Sequence, residues 1–158
     1  PADQQRCSRT GRAQRFSFEA PPTTTIAVQR GLCMRGAAAV DGRVPVQQAD
    51  CAQADRYLVL GSGSGFYAFR STSRGTCLSV EGGGDLNGTR LVEEACDDSA
   101  HERFQVKRSR RGELVLRPGH IDKCIDRHGR TNSATGAPFQ LWACHEGDNQ
   151  DFALSFDW

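Results

Sequence analysis

The sequence lacks long apolar runs and has no excess of one charge. None of its apolar runs approaches the roughly 18 residues that a membrane-spanning helix needs, so we expect no such span. Lys and Arg (20 residues) nearly balance Asp and Glu (19 residues), which leaves a formal net charge of +1. Dedicated nucleic-acid-binding proteins are usually basic over a whole face, so this balance argues against nucleic acid as a partner.

Helical periodicity and catalytic motifs are also absent. Apolar residues follow a helical spacing for no more than about two turns, which favours an all-β fold. The chain has no H-E-x-x-H, no G-x-S-x-G and no C-x-x-C motif. A hydrolytic pair of His128 and Glu146 is an alternative, but we expect both to be surface residues. We therefore predict a protein that is not an enzyme and needs no metal or cofactor.

Cysteine, in contrast, is abundant, with seven residues in a chain of 158. This content fits an oxidising compartment, and we expect a secreted protein. Six of the cysteines form pairs separated by 18, 19 and 20 residues, and corresponding members recur every 44 to 48 residues. The recurrence indicates three copies of one structural unit of about 45 residues. The predicted disulfides, one for each unit, are Cys33–Cys51, Cys77–Cys96 and Cys124–Cys144.

Each unit also carries an aromatic residue at the same place. Tyr57, Phe104 and Phe152 follow the second cysteine of their unit by 6, 8 and 8 residues, and a short apolar strand signal accompanies each. Strand signals at the usual spacing predict about four strands per unit. A propeller typically needs at least four blades, so we expect the three units to share one core, where the aromatics meet. The aliphatic residues expected around them are Leu32, Leu78, Leu116, Ile125 and Leu141.

The third unit contains three recognisable motifs. They are Cys124-Ile125-Asp126, Gln140-Leu141-Trp142-Ala143-Cys144 and Asn149-Gln150-Asp151-Phe152. They resemble the C-x-D, Q-x-W-x-C and N-Q-x-W motifs of ricin B-chain type β-trefoil lectins, with Phe152 at the last Trp position. The resemblance extends over roughly residues 26–154 and implies a twelve-stranded β-trefoil with up to three shallow sites for galactose-type sugars.

The chain accordingly divides into a tail and one domain. Residues 1–25 are expected to form an N-terminal tail and linker that contains Cys7, and residues 26–158 to form the β-trefoil lectin domain. Cys7 belongs to no repeat, and an odd cysteine in a secreted chain indicates either a free thiol or a bond to another chain. The three repeats are expected at about 26–64, 65–111 and 112–158.

A shallow sugar site needs an exposed aromatic ring, a carboxylate and an amide. The ring takes the apolar C–H face of the sugar, and the carboxylate accepts charge-assisted hydrogen bonds from neighbouring hydroxyls. Strand alternation in the third unit places Phe139, Leu141 and Ala143 on one face. If that face points to the core, Gln140 and Trp142 point outward, and Trp142 supplies the ring.

The resemblance assigns the remaining roles in the third unit. Asp126 matches the carboxylate, Asn149 matches the amide, and Gln150 matches the residue that steadies the carboxylate. His145, directly after the second cysteine, can reach the rim. The predicted carbohydrate-binding residues are Asp126, Gln140, Trp142, His145, Asn149 and Gln150.

The first two units lack this combination of side chains. At the positions of the carboxylate and the ring, the first unit has Arg35 and Ala49, and the second unit has Ser79 and Glu94. The second unit has His101 at the amide position, and the corresponding loop of the first unit is shortened. We therefore predict that these two units are structural and that the third unit alone binds sugar.

The expected partners are glycans on cell-surface glycoproteins or glycolipids. A single shallow site binds weakly, so a partner subunit, or a chain disulfide-linked through Cys7, would supply avidity. Two alternatives stay open. The chain also resembles receptor-binding or partner-holding trefoil subunits of bacterial toxins such as cytolethal distending toxins. The basic run Lys107-Arg108-Ser109-Arg110-Arg111 would suit a trefoil that binds proteins or anions rather than sugars.

Overall fold

The computed structural model describes residues 21–29, 31–129 and 134–157, and within these ranges it contains twelve β-strands and no α-helix. No helix in this part of the chain has the length and apolar character that crossing a membrane requires. The strands are β1 (Thr23–Gln29), β2 (Leu32–Gly36), β3 (Val44–Asp50), β4 (Tyr57–Gly61), β5 (Phe66–Ser71), β6 (Cys77–Val80), β7 (Leu91–Glu94), β8 (Phe104–Arg108), β9 (Leu114–Pro118), β10 (Cys124–Arg127), β11 (Phe139–Trp142) and β12 (Ala153–Asp157).

The predicted tail lies mostly outside the described residues. Residues 1–20, which include Cys7, are not part of the description, so the expectations for the tail and its thiol stay predictions. Strand β1 begins at Thr23, three residues before the position at which the sequence places the start of the domain.

Six of the strands close into a barrel. β1 pairs antiparallel with both β12 and β4, β4 pairs with β5, β5 with β8, and β8 with β9. Leu114 of β9 and Phe152, the residue before β12, exchange two backbone hydrogen bonds of 2.9 and 2.8 Å. This last bridge completes the ring of strands, so the barrel has no open edge at that point.

The other six strands form three hairpins, β2–β3, β6–β7 and β10–β11. The hairpins contact one another pairwise, through bridges such as Val44 with Glu93 and Arg90 with Gln140. A third bridge joins Gln47 to Pro138. Each unit therefore supplies four strands, β1–β4, β5–β8 and β9–β12, and the whole is the predicted β-trefoil.

One disulfide crosslinks each unit, as the sequence predicts. The bonds Cys33–Cys51, Cys77–Cys96 and Cys124–Cys144 are all formed, with Cα–Cα distances of 4.8, 5.1 and 5.1 Å. In every unit the bond joins the start of the first hairpin strand to the segment that follows the second. It therefore fixes the loop that leads back to the barrel.

The core forms where the repeat pattern places it. Tyr57, Phe104 and Phe152 are buried in one hydrophobic cluster, and Phe152 packs against Phe139 with ring centroids 6.1 Å apart. Of the five aliphatic residues predicted around them, four are buried in this cluster and Leu32 is only partly buried at its edge. The expectation that Ala143 faces the core is wrong, because β11 ends at Trp142 and Ala143 lies exposed in the following loop.

A network around the buried Glu93 carboxylate connects the first two units. Glu93 of β7 is 0 % exposed, and its carboxylate accepts hydrogen bonds from Arg74 Nε (2.6 Å), Arg74 Nη2 (2.8 Å) and the Tyr57 hydroxyl (2.8 Å). Burial, together with the neighbouring Glu93 charge, raises the pKa of Tyr57 well above its usual value. Arg74 also pairs with Asp55. A Cβ at Gly36 would lie 2.6 Å from Arg74 Nη2, so the network also requires glycine at that position.

Candidate functional site

The predicted site residues of the β10–β11 hairpin lie on one patch. Asp126 of β10 is directly opposite Gln140 of β11, and Cys124 is opposite Trp142. Side chains two residues apart on a strand share a face, so the Asp126 carboxylate and the Trp142 ring lie on the same side of the hairpin.

A short 3-10 turn, Asp148–Gln150, brings the two remaining amides to the same place. Asn149 and Gln150 are buried in it, and their side chains point back to the hairpin. The disulfide Cys124–Cys144 ties the start of this loop to the start of β10. Covalent and hydrogen-bonded constraints thus act on both ends of the loop.

The Asp126 carboxylate is 2 % exposed and accepts four hydrogen bonds. Its Oδ1 accepts from Gln140 Nε2 (3.1 Å), and its Oδ2 accepts from Asn149 Nδ2 (2.9 Å) and Gln150 Nε2 (3.0 Å). His145 Nε2 lies 3.3 Å from the same Oδ2. An ionised carboxylate offers about four acceptor positions, so these donors fix its orientation.

Trp142 lies beside this carboxylate and is 38 % exposed. With Asp126 it borders a cavity of about 450 Å³. The other lining residues are His128, Gly129, Gln140, His145 and Asn149. The structure therefore brings five of the six predicted residues to one cavity, and the sixth, Gln150, supports the carboxylate from behind.

Asn149 has an unused acceptor at this site. Its Nδ2 donates to Asp126 and also to the backbone oxygen of Arg127 (3.1 Å). Its buried Oδ1 has no hydrogen-bond partner among the described residues. Gly147 packs directly against this oxygen, since a Cβ there would lie 2.8 Å from it. A polar group that reached Oδ1 would satisfy a buried acceptor.

His128 is a cavity residue to which the sequence assigned no binding role. It follows Asp126 by two residues, and strand alternation carries it to the same face. This two-residue spacing from Asp126 is the sequence signal that indicates a place for His128 at the site. Among the described residues, no group of three or more His, Cys, Asp or Glu side chains is arranged to hold a metal ion.

The basic run between β8 and β9 contacts the site loop. Arg111 Nη2 donates to the backbone oxygen of Glu146 (2.8 Å), and its guanidinium pairs with Asp148 (2.5 Å) and Asp151 (2.6 Å). Arg110 lies 3.3 Å from the Glu146 carboxylate. These contacts join residues about 35 positions apart along the chain, so no local sequence pattern announces them. The run is therefore partly neutralised, and it braces the loop that carries Asn149.

Replacing Arg111 with Ala is expected to loosen this loop. Exposed ion pairs contribute little individually, so we expect amide exchange of residues 146–151 to accelerate by about three- to tenfold, without global unfolding. Hydrogen-exchange mass spectrometry measures this change. Arg108→Ala is the matched control, because Arg108 donates to Gly112 of its own hairpin (2.9 Å). Equal exchange in the two variants would contradict the bracing role.

The equivalent positions of the first two units contain different chemistry. Ala49 and Glu94 face the first cysteine of their hairpins, at the register position of Trp142. Glu94 is already bonded within the fold, since it accepts from Ser79 Oγ (2.6 Å) and Arg43 Nε (2.8 Å). Arg35, at the Asp126 position, donates to a neighbouring glutamine (2.9 Å). Of these three hairpins, only the third combines an exposed ring with a buried carboxylate.

Comparison with known proteins decides the family. The family described as "Ricin-type beta-trefoil lectin domain-like" matches residues 54–142, more than half of the chain. The chain belongs to this family. No curated protein matches the sequence.

Solved structures resemble this ricin-type trefoil over most of its length. The designed three-fold symmetric protein ThreeFoil is 18 % identical, with a TM-score of 0.76, and the match covers 84 % of this chain and 96 % of that one. A Macrolepiota procera ricin B-like lectin, in complex with lactose, is 19 % identical (TM-score 0.70; 88 % and 98 % covered). The Haemophilus ducreyi cytolethal distending toxin is 16 % identical (TM-score 0.67; 92 % and 91 % covered). At these identities the likeness shows a common fold.

Proposed function

We propose that this ricin-type trefoil is a secreted lectin that binds galactose- or N-acetylgalactosamine-type glycans through its third unit and catalyses no reaction. One observation carries the proposal. The exposed Trp142 ring lies beside the oriented Asp126 carboxylate on the same cavity, and these are two of the groups that a shallow hexose site needs. The lactose complex of the Macrolepiota procera lectin supports the ligand class.

The proposed binding mode uses the Trp142 ring and the Asp126 carboxylate for different contacts. The C–H face of the sugar stacks on Trp142, while a hydroxyl donates to Asp126. Asn149 Nδ2 donates to the same carboxylate and orients it. Gln140 and Gln150 hold the carboxylate in place before the sugar arrives, which reduces the ordering that binding requires.

A site of this size implies weak monovalent binding. We expect dissociation constants on the order of 0.1–10 mM for a monosaccharide, because a shallow site buries little area. Useful avidity requires several sites on one particle. We therefore propose cell-surface glycoproteins or glycolipids as the partners, engaged by an assembly rather than by one chain.

A glycan array with the wild type, Asp126→Ala and Trp142→Ala tests the proposal. We expect the wild type to bind galactose-type glycans and both variants to lose this signal. Trp142→Ala is informative because the ring is exposed, so its removal leaves the core intact. Arg35→Ala, at the equivalent position of the first unit, is the control and is expected to bind like the wild type. Equal binding by all four proteins, or none by the folded wild type, contradicts the proposal.

A second candidate function is that of a toxin subunit that binds a receptor or holds a partner. The likeness to the Haemophilus ducreyi cytolethal distending toxin, over nine-tenths of both chains, supports it. Co-purification with a second protein, or dimers that disappear on reduction of Cys7, would favour this function. Binding that falls steeply with salt and survives Trp142→Ala would instead favour an anion-binding trefoil.

A further inference from the structure

The carboxylate proposed to bind sugar is covered in the structure. Asp126 is only 2 % exposed, although Trp142 beside it is open to solvent. Of the four donors to Asp126, Asn149, Gln140 and Gln150 are buried. The fourth is His145, whose side chain is 35 % exposed. His145 therefore covers Asp126 on the solvent side.

Both ring nitrogens of His145 have partners in this position. The Gly147 backbone N–H donates to Nδ1 (3.0 Å), so Nδ1 acts as the acceptor. In the neutral ring the proton then sits on Nε2, which faces Asp126 Oδ2 at 3.3 Å. The imidazole thus supplies an N–H where the proposed binding mode places a sugar hydroxyl.

His145 is the donor that can leave without disturbing the rest of the network. Asn149 and Gln150 also donate to the backbone oxygens of Arg127 and Ala143, which hold them in place. The His145 contact is the longest of the four. The backbone N–H of His145 donates to Gln150 Oε1 (2.9 Å), so the His145 side chain can rotate while the loop stays anchored.

Glycine at position 147 provides the space that the imidazole occupies. A Cβ at Gly147 would lie 2.5 Å from His145 Cε1 and 2.7 Å from Nδ1, closer than real Cβ contacts allow. The φ angle of Gly147 is −80°, which any residue can adopt. The requirement for glycine therefore comes from the imidazole and the nearby Asn149, and not from the backbone.

We infer that His145 competes with the ligand for Asp126 and is the residue that sets the affinity and selectivity of the site. The inference rests on the proposed sugar-binding function. A sugar binds by replacing the Nε2–H donor with one of its own hydroxyls, and the imidazole turns outward over the rim. A ligand without a hydroxyl at that place leaves Asp126 without its fourth hydrogen-bond donor and therefore does not displace His145.

Titration of the uniformly ¹⁵N-labelled protein with galactose and N-acetylgalactosamine tests the inference. Removal of a competing closed state raises apparent affinity by the inverse of the open fraction, so His145→Ala is expected to bind about three- to tenfold more tightly than the wild type. His101→Ala is the matched control, because His101 lies in the corresponding 3-10 turn of the second unit, contacts Ser99 Oγ (3.0 Å) and does not line this cavity. Its affinity is expected to remain that of the wild type.

Imidazole resonances give a second readout that stability changes do not produce. In the free wild type, we expect His145 to show the Nε2–H tautomer, and sugar to shift this resonance as the contact with Asp126 is replaced. If the wild type binds sugar and His145→Ala binds it equally or more weakly, the inference about His145 is wrong while the proposed function stands. If the wild type and every variant fail to bind either sugar at about 100 mM, well above the expected range, the proposed function fails as well.

Discussion

Replacing Asp126 with Asn is expected to lower the affinity for galactosides by about tenfold while the protein stays folded. A hydrogen bond to a charged group contributes about 1.5–3 kcal/mol and one between neutral groups about 0.5–1.5 kcal/mol, and the sugar hydroxyl that replaces His145 at Oδ2 would exchange the first kind for the second. A loss of about 1.4 kcal/mol corresponds to a factor of about ten in the dissociation constant.

The fold should tolerate this change because the network can adjust. The amide oxygen of the Asp126→Asn variant can take the place of Oδ2 and keep the donors Asn149 and Gln150. The amide nitrogen of the new side chain then faces Gln140, whose own amide can flip to present an oxygen. Asn149 and Gln150 therefore keep a hydrogen-bond acceptor in the Asp126→Asn variant, whereas they would lose it in an alanine variant.

Calorimetric or NMR titration, together with thermal unfolding, measures both effects. Asp41→Asn is the matched control: this exposed carboxylate lies at a positive φ of 51°, which asparagine also tolerates, and it is not among the residues that line the cavity beside Trp142. Undiminished galactoside binding by Asp126→Asn would exclude the carboxylate from the binding site.

Arg74→Met is expected to cause the largest loss of stability. Glu93 is fully buried, and removal of its guanidinium partner leaves a buried charge that the hydroxyls of Tyr57 and Thr76 only partly compensate. Breaking a buried ion pair in this way costs about 3–5 kcal/mol. Because the Arg74 side chain is 31 % exposed, we expect the lower end, about 3 kcal/mol, which lowers Tm by roughly 6–12 °C.

A double variant distinguishes the effect of charge from the effect of packing. Adding Glu93→Gln to Arg74→Met removes the uncompensated charge, so the double variant is expected to be more stable than Arg74→Met alone. Arg90→Met is the control, because its pair with Glu81 is exposed and should contribute about 1 kcal/mol or less. Urea unfolding monitored by fluorescence provides the comparison. Similar losses of unfolding free energy in Arg74→Met and Arg90→Met would show that the Arg74–Glu93 pair stabilises the fold no more than an exposed pair does.

The architecture was largely predictable because its signals are local and repeated. Cysteine pairs at nearly constant spacing, with an aromatic after each pair, predict the units, their disulfides and the shared core. The motifs around Asp126, Trp142 and Asn149 likewise predict which side chains meet at one hairpin. Their use in sugar binding stays a prediction until it is measured.

Contacts between distant segments were not predictable in the same way. Arg74 and Glu93 are 19 residues apart, and Arg111 and Asp148 are 37 apart, with no periodic pattern to connect them. The position of His145 over Asp126 depends on the path of a loop and on the absence of a side chain at Gly147. Such contacts follow from the folded geometry, which residue spacing alone does not define.

The pairing of β1 with β12 has a consequence for the order of folding. Thr24 in β1 donates to the backbone oxygen of Ser155 in β12 across 131 residues of sequence, whereas Asp126 and Gln150 are only 24 residues apart. Contacts with small sequence separation form quickly, and those with large separation form slowly. During folding, the third hairpin can therefore assemble its site early, whereas the barrel closes only when β1 and β12 have met across the whole domain.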